Sequence, residues 1–299
     1  MQAPLGRGAA ARLATEVSQA GGLGTLGASW TEPAILREQI RSIARATDGL
    51  FCVNLVLDFE QDERLEVAVE ERVPWISFSF GLRPELIARA QAGGARVMVQ
   101  VASPDAARAA ADAGADALIV QGVEAGGHVQ STVGLLALLA EVRRAVSLPL
   151  LCAGGIADPA SARAVLAAGA AAIVMGTRFV ASEESDAHPS YKARLLHAAG
   201  HDTVLTTLFD VGWPAPHRVL RNSTYERWEA AGRPPSGQRP DEGDEIAAGI
   251  PRYAVNMPLA GVEGEVEAMA MYAGQGVGAI EAVEPATAIV ERFAAGLRP

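Results

Sequence analysis

Three short stretches of this chain gather residue types that can do chemistry together. EAGGH, Glu124 to His128, sets a carboxylate, two glycines and an imidazole just past the apolar run DALIV at 116–120. An imidazole after two glycines can be aimed at a bound ligand and titrates near neutral pH, which suits acid–base work; the plainer alternative is a structural histidine. CAGGI (152–156) and MGTRF (175–179) also close apolar runs. There Gly154, Gly155 and Gly176 offer backbone N–H groups unobstructed by a Cβ, and Thr177 adds a hydroxyl. A phosphate monoester would fit between the two turns, held by amides and a helix N-terminus. Taken singly, such glycines need mean no more than tight turns.

Two amides stand out for the opposite reason, because they interrupt apolar runs: Asn54 and Gln100. A buried amide without a partner costs about 1–3 kcal/mol. These two therefore face a polar ligand or bond the neighbouring strand ends. Able to donate and accept at once, they suit the N5, O4, N3 and O2 edge of a flavin ring. Gln275 and Gly276, in YAGQGVG (272–278), could close over a planar ring; the stretch has no lysine and is not a P-loop. No second His or Cys at ligand spacing accompanies His128, so no metal site is expected.

Positioning these groups requires elements that end side by side. Runs of β-type residues at 23–28, 50–57, 75–80, 96–102, 116–122, 148–155 and 171–179 alternate with amphipathic stretches such as 104–114 and 158–169. The latter start at Ser103-Pro104-Asp105 and Asp158-Pro159 and stop at Gly114 and Gly169, good helix start and stop signals. The strands are apolar throughout rather than alternating, as when both faces are covered. Repeated strand–helix units imply a parallel sheet with right-handed crossovers.

With MQAP at the N-terminus counted as a first strand, the total is eight. The expected class is α/β, a (β/α)8 TIM barrel, whose functional groups collect at the C-terminal strand ends. That strand is cut short at Met1, so a few residues are expected upstream. No GxGxxG helix turn with a later acidic partner supports an open dinucleotide sheet. From 182 the rhythm breaks into aromatic, Pro-rich and polar stretches. Residues 1–181 are read as the barrel, completed by 269–299, with 182–268 as a small inserted lid or subdomain after strand 8.

The chain has 299 residues, is 49% hydrophobic and 20% charged, and carries a net charge of −10. That balance offers no footprint for nucleic acid or acidic membranes. No apolar run reaches the ~18 residues of a membrane span, and the N-terminus lacks a signal-peptide core. Cys52 and Cys152 sit in apolar runs and read as reduced, buried thiols of a cytoplasmic protein. The oligomeric state is left open.

QAPL (2–5), AGGLGTLGA (20–28), VNL (53–55), VQVAS (99–103), GVEAGGH (122–128), CAGGI, MGTRF and YAGQGVG together resemble the nitronate monooxygenase family, over nearly the whole chain. The resemblance implies a TIM barrel binding FMN. It puts the phosphate on Gly154, Gly155, Gly176 and Thr177, and the ring against Ala3, Pro4, Asn54, Gln100, Gly126 and Gly127, with Gln275 and Gly276 nearby. His128 matches the family's active-site histidine, which polarises or deprotonates the nitro substrate. The implied reaction is oxidation of alkyl nitronates, with nitroalkanes as further substrates, by O2 to a carbonyl compound and nitrite. Two positions depart from the family pattern: Gln130, where glycine is frequent, and Leu5, where methionine is usual. Flavin-type enoyl-acyl carrier protein reductases share EAGGH and AGGI, so NAD(P)H-dependent reduction of quinones or enoyl thioesters is the alternative. A flavin-free barrel binding a phosphorylated metabolite is a third reading.

Overall fold

The computed structural model describes residues 1–6 and 11–297. The first part runs α1 (Ala11–Gln19), β1 (Gly24–Gly27), α2 (Pro33–Ala46), β2 (Phe51–Val56), α3 (Asp62–Glu70), β3 (Trp75–Ser79), α4 (Pro84–Ala92) and β4 (Arg96–Val101). It continues through α5 (Pro104–Asp112), β5 (Ala117–Gln121), β6 (Gly127–His128), α6 (Leu135–Ala145), β7 (Leu150–Ala153), α7 (Pro159–Ala167) and β8 (Ala172–Val174). Then follow α8 (Thr177–Val180), α9 (Pro189–Leu196), β9 (Thr203–Thr206), β10 (His217–Leu220), α10 (Ser223–Ala230), β11 (Glu245–Ala247), β12 (Ile250–Pro251) and α11 (Ala286–Gly296).

Seven strands form one parallel sheet in the order β1-β2-β3-β4-β5-β7-β8. The eighth place belongs to the N-terminal stretch, which is shorter than the strand count assumed. Only Gln2 makes a ladder bridge, to Met175, yet its neighbours close the ring. Gln2 N–H donates to Leu23 O (3.0 Å), Ala3 N–H to Met175 O (2.8 Å) and Met175 N–H to Met1 O (3.0 Å). The sheet is therefore a TIM barrel, with helices outside.

The sequence signals act where expected. Ser103 accepts the Ala106 N–H at the start of α5, and Asp158 and Ser161 form a reciprocal capping box on α7. The barrel core has two layers. Outside the strands, Leu13, Leu36, Ile40, Leu55, Leu86, Leu118 and Leu139 are buried under the helices. Inside the barrel, Cys52, Met98, Ala117, Ile119, Leu151 and Val174 fill the lower half. Side chains alternate faces along a strand, so two residues beyond these inward positions come Asn54, Gln100, Gln121 and Ala153. The period of two thus carries the interior from apolar packing to a polar layer at the C-terminal strand ends.

Residues from α8 onward add two further pairings. β6, β10 and β9 make a three-stranded antiparallel sheet, and β11 pairs with β12. In the first of these, His128 sits opposite His217 and Gly127 opposite Arg218. No described helix is long and apolar enough to cross a membrane.

Candidate active site

The loop after β5 delivers His128 into an aromatic enclosure. Its ring stacks on Trp213 at 3.8 Å and 23°, with His217 and Tyr272 each 5.4 Å away and Phe80 at 6.3 Å. Nε2 of His128 is buried and has no hydrogen-bond partner. Burial, with the nearby His217 as a lesser cause, pushes the imidazole pKa down to about 3. The expectation of a group titrating near neutral pH is thereby corrected: aromatic walls have displaced the water that would stabilise the cation. At neutral pH His128 is an uncharged imidazole, a weak base with an unsatisfied polar atom.

His217, which no sequence motif singled out, shares the enclosure. It is fully buried; its Nε2 accepts the Phe209 N–H (3.2 Å), which leaves the proton on Nδ1 to meet Ala215 O at 2.9 Å. Burial lowers its pKa too. Trp213 and Tyr272 were likewise missed; the aromatic and histidine density of FDVGWPAPHRV (209–219) was the available signal.

The amide layer is more committed than the sequence suggested. Asn54 Nδ2 donates to Ser77 O (3.2 Å), Ser77 Oγ (3.0 Å) and Ser79 Oγ (3.4 Å). Gln100 Nε2 donates to Gln121 Oε1 (3.2 Å) and Gln130 Oε1 (3.0 Å). The backbone fixes this polarity. Gln121 gives its N–H to His128 O (3.0 Å) and takes the Gln130 backbone N–H (3.2 Å), so its oxygen must face Gln100. Both candidate amides therefore spend their donors inside the protein and offer carbonyl oxygen alone. Gln130, one of the two departures noted above, is part of that lock.

The glycine turns of β7 and β8 lie side by side, since Ala153 pairs with Val174. Gly154 and Gly155 adopt φ of +119° and +69°, the region that favours glycine. Among the described residues no hydrogen bond occupies the N–H of Gly154, Gly155, Gly176 or Thr177. A Cβ built on Gly176 would lie 3.6 Å from Ala3 Cβ and 3.8 Å from Leu5 Cδ2. The helix that follows, α8, has only four residues, so the amides rather than a long dipole would bind an anion. Four unspent N–H donors together with the two amide oxygens suit the phosphate and the ring of a flavin mononucleotide.

The stretch 272–278 locks this arrangement. Gly274 N–H donates to Thr177 Oγ1 (3.0 Å), and Gln275 N–H to Glu124 O (2.9 Å). Glu124 itself caps α6, its two carboxylate oxygens each 3.0 Å from Leu135 N. A Cβ on Gly126 would come within 2.4 Å of Gly274 N, and one on Gly276 within 2.5 Å of Gly155 O. Gly126 and Gly276 are thus required by loop-to-loop contact, a tighter constraint than access to a ligand. Gln275 has an exposed side chain. Ala3 and Pro4 lie half-buried next to the Gly176 turn, and Gly127 sits in β6 against Arg218.

A family model described as nitronate monooxygenase matches residues 1–64 and 59–296. A nitronate monooxygenase of Pseudomonas aeruginosa is 34% identical over 283 residues, covering 79% of this chain and 80% of that protein. A (3aS,4S,5R,7aS)-5-hydroxy-7a-methyl-1-oxo-octahydro-1H-indene-4-carboxyl-CoA dehydrogenase of Mycobacterium tuberculosis is 37% identical over 237 residues, 78% of this chain. That match spans 66% of the dehydrogenase's own length. Among solved structures, FabK from Thermotoga maritima superposes with a TM-score of 0.86 at 35% identity, covering 99% of this chain and 91% of that one. A nitroalkane oxidase from Streptomyces ansochromogenes gives 0.81 at 33%, with 99% and 94% covered.

Proposed function

The chain belongs to the nitronate monooxygenase family, and from that premise we propose that it is an FMN-dependent oxidoreductase that converts alkyl nitronates and O2 to carbonyl compounds and nitrite. FMN bound there would supply the electron transfer between the nitronate and O2. The protein's part is to bind and orient. The N–H groups of Gly154, Gly155, Gly176 and Thr177, with the Thr177 hydroxyl, take the phosphate. Asn54 and Gln100 present oxygen to the ring, which Ala3, Pro4, Gly126, Gly127, Gln275 and Gly276 border. His128 meets the substrate.

The observation that carries this reading is the buried, unpartnered Nε2 of His128. A buried polar atom without a partner costs about 1–3 kcal/mol, and an oxygen of an anionic nitronate would satisfy it as an acceptor of the imidazole N–H. Because the pKa lies near 3, the group is poorly matched to removing a proton from a neutral nitroalkane. The preferred substrate is therefore the preformed nitronate, polarised rather than deprotonated.

Flavin released on denaturation identifies the cofactor, and nitrite release from propionate-3-nitronate under air tests the reaction. His128→Ala should keep FMN and lower nitronate turnover about 10- to 100-fold, the worth of one hydrogen bond to a charged group. Unchanged turnover would remove His128 from the reaction. The carboxyl-CoA in the name of the Mycobacterium relative favours a second reading, NAD(P)H-dependent reduction of thioesters or quinones. Anaerobic bleaching of the flavin by NADH, without nitrite formation, would select it. A protein that stays colourless after FMN reconstitution would instead select the phosphometabolite barrel.

A further inference from the structure

Trp213 lies in the stretch joining β9 to β10 and is buried. Loops from three successive barrel strands converge on its indole. Asp58, after β2, accepts the indole N–H at Oδ2 (2.8 Å). Phe80, after β3, meets the ring edge-on at 4.6 Å, with Phe59 at 5.6 Å and Trp30, after β1, at 5.7 Å. Phe80 holds this place at φ +56°, a conformation unfavourable for an aromatic residue. The neighbouring Val211 is pinned by bonds from its N–H to Tyr253 O (3.1 Å) and from Val255 N–H to its O (3.0 Å). On its remaining face the indole lies flat against His128.

We infer that Trp213, latched by Asp58, is the positioning residue of His128: it fixes the plane of the imidazole and keeps water off it, so that the ring meets substrate uncharged. The inference rests on reading His128 as the substrate-facing group. Charge is the lesser part of its neutrality, supplied by His217 alone among the titratable groups around the ring. His217 is bonded on both nitrogens, the Tyr272 hydroxyl donates to Val255 O (2.8 Å), Glu124 caps Leu135, and Asp58 is engaged with the indole itself. Exclusion of water is the larger cause, and Trp213 supplies the stacked wall.

The test follows the His128 ring in the full chain by ¹⁵N-histidine NMR across pH 5 to 8, with His128→Gln assigning the signal. The wild-type ring should stay unprotonated throughout. Trp213→Ala should bring its protonation into that window, a change of about 100-fold or more in the acid constant, and Trp213→Phe should preserve most of the suppression. Asp58→Ala, which removes the latch without emptying the site, should also raise protonation and decides the matter alone if Trp213→Ala does not fold. No rise in Asp58→Ala, or in a folded Trp213→Ala, overturns the inference. The readout needs neither flavin nor turnover, so a failed nitronate assay would count against the proposed reaction and leave this result standing.

Discussion

Gly155 and Gly176 both offer amides to the proposed phosphate, yet they tolerate change differently. Gly155 sits at φ +69°, so any side chain there strains the turn before charge matters. Gly176 has φ −103°, and a Cβ would make only ordinary contacts with Ala3 and Leu5. Gly176→Ala should therefore bind FMN nearly as well as the wild type. Gly176→Asp adds a carboxylate where a phosphate dianion is to be held in a partly dry site. It should weaken FMN binding about 30-fold or more, on the scale of 2 kcal/mol for losing a charge-assisted contact. Fluorescence titration of the apoprotein with FMN reads both. Equal affinities in the two variants would place the phosphate elsewhere. Aspartate at Gly155 is the poorer test, because its backbone strain would mimic the same loss.

The barrel strands and the caps of α5 and α7 were legible because each is set by local pattern: apolar runs, Ser or Asp before Pro, glycine after the last turn. So were the places of His128 and of the glycine turns, which follow from strand ends. β6 was not legible. Gly-His has no strand propensity, and its partner β10 comes from the far side of the intervening helices and strands, so only tertiary register reveals it. The spent donors of Asn54 and Gln100 were hidden for the same reason: Ser77, Ser79 and Gln121 reach them from neighbouring strands, and Gln130 from the loop after β6. Gly126 shows how far such contacts reach. The family resemblance set it against the flavin ring, and the structure packs it in the seam between the β5 loop and residues 272–278. Gly126→Ala should force the Gly274 backbone away from its 2.4 Å approach, costing about 1–3 kcal/mol in the manner of overpacking. The Gly274–Thr177 and Gln275–Glu124 bonds should open with it. Urea unfolding gives the first quantity, and amide exchange at Gly274 and Gln275 the second. A variant with wild-type stability and protection would mean the seam is slack.

At the scale of the whole molecule, the junction of β6 with β10 ties stability to pH. His128 ordinarily titrates at 6.5 and does so near 3 when folded. Below pH ~6.5 the unfolded chain therefore binds a proton that the folded protein refuses. The stabilisation is fully present above that pH and is lost as pH falls toward 3, at no more than about 1.4 kcal/mol per unit for one proton. His217, shifted in the same direction by burial, adds to the loss. A second effect runs the other way. The chain carries a net charge of −10 at pH 7 with a pI near 5.1, so acidification first relieves self-repulsion and favours the compact state. The wild-type curve alone mixes these two. His128→Gln removes the proton-refusing ring and keeps the acidic background, so the difference between the two proteins isolates the histidine. Measured by urea unfolding at pH 7.5, 6.0 and 5.0, the stability gap between wild type and His128→Gln should narrow or reverse as pH falls. A gap that stays constant over that range would mean His128 is protonated alike in both states, and the enclosure formed by Trp213, Phe80 and Tyr272 is wet.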